Sequence, residues 1–83
     1  MTPEQLLAIA DEFCPLYKTQ IRSFAAIAAC AAIPDARIHG VRVCGSAREG
    51  AFLLADAITT FKPLTSHNDA FAVIARDVYL RLQ

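Results

Sequence analysis

Lys62-Pro63-Leu64-Thr65-Ser66-His67-Asn68-Asp69-Ala70-Phe71 is the stretch on which the reading of this chain turns. It has the form of a helix stop followed by a helix start. To its left, Ala51, Leu54, Ala55 and Ile58 recur at helical spacing, widened by Phe52 and Phe61. Lys62 stands at the end of that helix, where a cation favours the dipole, and Pro63 stops it. To its right, Phe71, Ile74 and Val78 define one helical face, with Ala70, Val73 and Leu80 beside it and Arg76 and Asp77 outward. Thr65 or Ser66 is expected to cap this last helix. The helix before the stretch opens on Ser46-Ala47-Arg48-Glu49, a capping box.

Toward the N-terminus, Thr2-Pro3-Glu4-Gln5 is another helix start, with a cap, a proline suited to the first helical position and a box-closing Gln5. Leu6, Leu7, Ile9, Ala10 and Phe13 give it an apolar face, and Pro15 is expected to end or kink it near Cys14. A second helix is expected from Leu16 to Ala32. Its half from Phe24 to Ile33 is alanine-rich and apolar all round, which predicts a central buried helix or half of a subunit interface, ended by Pro34. Glutamate at Ala28 or Ala29 is expected to disrupt it. Residues 35–45 alternate weakly between polar and apolar, as a short extended segment or an irregular loop would, and Gly40 and Gly45 favour the loop. The fold expected is all-α, about four helices with no strand assigned, in a single domain over residues 1–83.

Apolar residues make up 55% of the chain and charged residues 19%, which excludes a disordered chain and suggests a homo-oligomer or a protein partner. Eight basic and eight acidic residues cancel, without the electrostatic footprint of a nucleic-acid binder. The longest apolar run, Phe24 to Ile33, is shorter than the roughly 20 residues of a bilayer span. Glu4, Asp11 and Glu12 stand where a secretory signal would be basic, so a cytoplasmic setting is expected. Cys14, Cys30 and Cys44 lack Cys-x-x-Cys spacing and are expected to be reduced, structural thiols. His39, Cys44, His67 and Cys30 match no zinc-ligand spacing. Cys44 lies near Arg42, Arg48 and His39, yet no group is evident that would orient it as a nucleophile.

The span from Gly45 to Leu82 resembles the core of the Fic/Doc family, and Thr2-Pro3-Glu4-Gln5-Leu6-Leu7-Ala8-Ile9 is similar to the first helix of Doc-type toxins. The family motif, His-Pro-Phe-x-(Asp/Glu)-Gly-Asn-(Gly/Lys)-Arg, lies between two packed helices. Most members transfer an adenylyl group from ATP to a protein hydroxyl; Doc-type members phosphorylate elongation factor Tu. In that loop the His acts as general base, backbone amides cradle the phosphates, the acid holds a divalent metal and the Arg neutralises developing charge.

Laid on that motif, the chain keeps Pro63, a stand-in for the Phe at Leu64, and Asn68. Lys62 replaces the His, Ser66 the acid and His67 the Gly, while Asp69 and Ala70 replace the final pair. The residues retained are structural; those lost are chemical. Ser46-Ala47-Arg48-Glu49-Gly50 falls one residue short of the family's inhibitory Ser/Thr-x-x-x-Glu-Gly, and a capping box explains it. The resemblance therefore implies a degenerate, non-catalytic member related to toxin–antitoxin systems, with no cofactor, binding a protein or its own copy. The alternative is a diverged transferase that moves AMP or phosphate. It would hold ATP with magnesium on a loop of Lys62, Pro63, Thr65, Ser66, His67 and Asn68, with His67 as the base.

Overall fold

The computed structural model describes residues 1–83 and contains four α-helices, one 3-10 turn and one two-stranded hairpin. Helix α1 spans Pro3–Tyr17. Thr2 Oγ1 accepts from the Gln5 amide at 3.1 Å and Gln5 Oε1 accepts from the Thr2 amide at 2.8 Å, the expected capping box. Leu6, Ala10 and Phe13 enter the core. Contrary to expectation, Pro15 does not end the helix near Cys14. It sits in the last turn, where a missing N–H removes a single bond and leaves an exposed carbonyl to water. The stop is Lys18, in the left-handed region at φ 53°, where the amides of Lys18 and Thr19 both reach Cys14 O.

The single helix expected from Leu16 to Ala32 is broken in two. Thr19 to Ser23 is non-helical, bends at Arg22, and forms an antiparallel bridge between Ile21 and Leu64. Helix α2 is therefore only Phe24–Ala32, capped by Ser23 Oγ on the Ala26 amide at 3.1 Å. Nor is it buried on every side: Ile27, Cys30 and Ala31 face the core, while Phe24, Ala25, Ala28, Ala29 and Ala32 are exposed. Glutamate at Ala28 or Ala29 thus meets solvent rather than core. Alanine is small enough to sit exposed at little cost and has the highest helix propensity.

The 3-10 turn Ile33–Asp35 carries buried Pro34 at its centre, and the Asp35 carboxylate pairs with the Met1 ammonium. Strands β1, Arg37–Ile38, and β2, Val41–Arg42, then form an antiparallel hairpin, so the architecture is mostly helical rather than all-α. Its two-residue turn has positive φ at both His39 (52°) and Gly40 (81°), the type that matches strand twist. The glycines favour a loop and no strand is expected from the sequence; both strands are exposed, so no core contact reinforces the weak alternation of this segment.

Helix α3 spans Ala47–Phe61 and α4 spans Asn68–Arg81. Ser46 Oγ accepts from the Glu49 amide at 3.2 Å, but the Glu49 carboxylate reaches back to the Gly45 amide at 3.0 Å, one residue earlier than in a regular box. The α3 face is Ala51, Leu54, Ala57 and Ile58; Phe52 and Phe61, expected to widen it, are 71% and 45% exposed. The α4 face is likewise rotated from expectation: Phe71, Ala72, Ala75 and Tyr79 are buried, Ile74 and Val78 half-buried, and Val73 and Leu80 exposed. Ala51, Ala57, Ala72 and Ala75 share these buried faces with Leu54, Ile58, Phe71 and Tyr79, which lets the two helices approach closely. A Cβ on Gly50 would stand 2.8 Å from the Tyr79 hydroxyl. That contact at one end of the pair, and the short loop at the other, make α3 and α4 antiparallel. One cluster of 16 buried apolar residues draws on all four helices. No helix is long and apolar enough to cross a membrane.

Candidate functional site

The loop from Lys62 to His67 joins α3 to α4, and its two ends are left-handed: Lys62 at φ 50° and His67 at φ 58°. Lys62 is the C-cap of α3 and donates its amide to Ile58 O. Pro63 and Leu64 are buried, so the front of the loop is anchored in the core. Asn68 fixes its shape. Its Oδ1 accepts from the Leu64 amide at 2.9 Å and its Nδ2 donates to the Leu64 carbonyl at 3.0 Å. An amide side chain, with one donor and one acceptor, can mimic a strand partner in this way.

The back of the loop is tied to the non-helical segment after α1. The Thr65 amide donates to Gln20 O at 2.8 Å, and the amides of Arg22 and Ser23 donate to Pro63 O at 2.7 and 3.2 Å. Thr19, only 6% exposed, is the hub. Its hydroxyl lies 3.0 Å from Thr65 Oγ1 and accepts from the Ser66 amide at 3.1 Å and the Ser66 hydroxyl at 2.9 Å. Arg22 completes the tie. Its guanidinium donates to Lys62 O at 2.7 Å and Phe61 O at 2.6 Å, which satisfies the carbonyl end of α3 and complements its dipole.

The sequence placed a cap at Thr65 or Ser66. The structure corrects this: both side chains are bonded to the Thr19 segment, and α4 begins at Asn68 with His67 as an N-cap that makes no side-chain bond. A hydroxyl held across the chain cannot also close a helix turn. The His67 ring lies 5.7 Å from Tyr17, which stacks on Phe13 at 4.0 Å, which in turn meets Phe71 at 5.4 Å. The loop therefore sits on an aromatic series that leads into the core.

Lys62, Pro63, Thr65, Ser66, His67 and Asn68 are brought together, as chain continuity requires, and three of the loop's central amides, those of Leu64, Thr65 and Ser66, have partners inside the fold. Sequence reasoning missed Thr19, Gln20 and Arg22. The available signal was the polar run Lys18-Thr19-Gln20-Ile21-Arg22-Ser23 between two apolar segments, with β-branched residues at Thr19 and Ile21. Elsewhere, no three His, Cys, Asp or Glu side chains converge as metal ligands. Cys14, Cys30 and Cys44 are free thiols. Burial pushes Cys30 up to about 11, and burial, then Asp11, raises Cys14. Cys44 is buried, with Sγ 4.0 Å from Ile33 O. No protein-family model, curated protein or solved structure matches this chain.

Proposed function

We propose that this chain is a degenerate, non-catalytic Fic/Doc-like module that acts by binding protein, in a toxin–antitoxin setting. The observation that carries the reading is the use made of the Lys62 to Asn68 loop. An anion-binding loop leaves successive backbone N–H groups open to its ligand. Here the Leu64, Thr65 and Ser66 amides are committed to Asn68, Gln20 and Thr19. Asn68, one of the motif residues retained, binds its own loop backbone through both ends of its amide.

The alternative transferase would need ATP with magnesium on this loop. Ser66 in the metal position is tied to Thr19, and Asp69 would bring a negative charge to the mouth of α4. These residues do not fit the group. The amides at the start of α4 have no partner within the chain, the one feature that favours an anion. Calorimetric titration with ATP, GTP and AMP, with and without magnesium, separates the readings. The binding module gives no heat at protein concentrations that detect roughly millimolar affinity. Binding that is lost on changing Lys62, His67 or Asn68 would overturn it in favour of the transferase.

A further inference from the structure

A groove of about 230 Å³ runs between α3 and α4, with Phe52, Ala55, Thr59, Asp69, Val73 and Arg76 along it. Phe52 is 71% exposed and Val73 46%, so the face is more apolar than a solvated helix pair needs. Its charges are ordered, with a second carboxylate, Asp56, midway along it. With α3 and α4 antiparallel, Phe52 and Arg76 mark one end of the groove, Thr59 and Asp69 the other. One end carries a protruding ring and a cation; the other carries a small side chain and a carboxylate. Asp69, Ala72, Val73 and Arg76 stand at i, i+3, i+4 and i+7, a single helical face on which the two charges lie about 10 Å apart. Both charges keep bonding capacity for a partner. Asp69 has no partner, and Arg76 makes only an Nε contact of 3.3 Å to Asp77, which leaves both terminal nitrogens open.

We propose that this face is a symmetric homodimer interface, its occupant a second copy of the chain. The proposal rests on the binding-module reading and specifies the partner. A two-fold axis lying in the interface and crossing α4 at Ala72 and Val73 sets α4 antiparallel on its copy. Asp69 of each copy then faces Arg76 of the other. Phe52 of each fills the Thr59 end of the opposite groove, whose floor is kept low by Ala55 and Ala72. Knob meets hollow and cation meets carboxylate twice, as an isologous contact requires. Asp56 and its copy flank the axis, the one like-charge approach in the arrangement.

Sedimentation velocity across a concentration series tests this. The unmodified chain is a dimer. Asp69→Arg and Arg76→Asp each weaken it by about tenfold or more, since two attractive pairs become repulsive. An equimolar mixture of the two variants pairs again, because each reversed charge meets its complement. Phe52→Ser also dissociates the dimer, and Asp56→Asn tightens it. Circular dichroism confirms that each variant keeps its helices. A monomer at every concentration overturns the proposal, as does a dimer indifferent to Phe52→Ser and both reversals, or a mixture that fails to pair. Nucleotide titration is read separately: a monomer silent to nucleotides removes the dimer and leaves the binding-module reading standing.

Discussion

Asn68 and Tyr79 show how a single polar atom fares inside this small core. Asn68 satisfies both backbone groups of Leu64, a residue only 1% exposed. Asn68→Ala should destabilise the fold by about 1–3 kcal/mol in urea unfolding, because a part-buried amide and carbonyl lose their partners together. Asn68→Asp keeps the acceptor for the Leu64 amide but sets a carboxylate oxygen against the Leu64 carbonyl, and should also destabilise. Equal stability in all three proteins would show that the loop is held by other contacts. The Tyr79 hydroxyl is the reverse case, fully buried with no hydrogen-bond partner. Tyr79→Phe should be neutral or stabilising by about 1 kcal/mol, since an unsatisfied polar group leaves the core. Gly50→Ala should destabilise, because its Cβ would stand 2.8 Å from that hydroxyl, and less so in the Tyr79→Phe background. Additive effects of the two changes would refute this contact. The sequence singled out the Asn only through a resemblance, and its structural task was not visible there. Nothing local distinguishes an Asn that binds its own loop from one that awaits a ligand.

At the scale of elements, the decisive events are the helix ends. Thr2 with Gln5, Ser46 with Glu49, and Lys62 with Pro63 were all readable, because the groups they satisfy lie within one turn. The end of α3 also has a distant partner. Arg22 reaches the Phe61 and Lys62 carbonyls from 39 and 40 residues away. Arg22→Ala should lower stability by about 1 kcal/mol, and Arg22→Lys should recover little of it. The planar guanidinium serves two carbonyls at once, whereas an ammonium is a point donor. Full recovery with lysine, measured as the urea midpoint, would show that charge alone matters. The break between α1 and α2 belongs to the same tie. Helix propensity favoured continuity through residues 19–23, but bonds from that segment to Pro63 and Thr65 outweigh a few tenths of a kilocalorie per residue.

Across the whole molecule, the cluster of 16 buried apolar residues also holds Cys30 fully out of water. Folding raises its thiol from the ordinary 9.0 to about 11, so the folded state retains a proton that the unfolded chain gives up. The associated stability is complete below pH 9 and is lost as pH rises toward 11. Thermal unfolding across that window should show a steeper alkaline loss for the unmodified protein than for Cys30→Ala; parallel curves would exclude the thiol as a contributor. The sequence by itself determined the helical class, two of the helix caps, the stop at Lys62 and Pro63, and the burial of Cys30 and Cys44 among apolar residues. Each follows from interactions within a few residues or from composition. Only the tertiary structure decided that Thr19 to Ser23 leaves the helix, that α4 starts at Asn68, that α2 shows an alanine face to solvent, and that Phe52 and Val73 point away from the core. Those outcomes depend on partners such as Thr65, 46 residues from Thr19, and on how closely α3 and α4 approach. A hydrogen bond or a helix contact at that separation leaves no periodicity in the chain, so local patterning alone cannot reveal it.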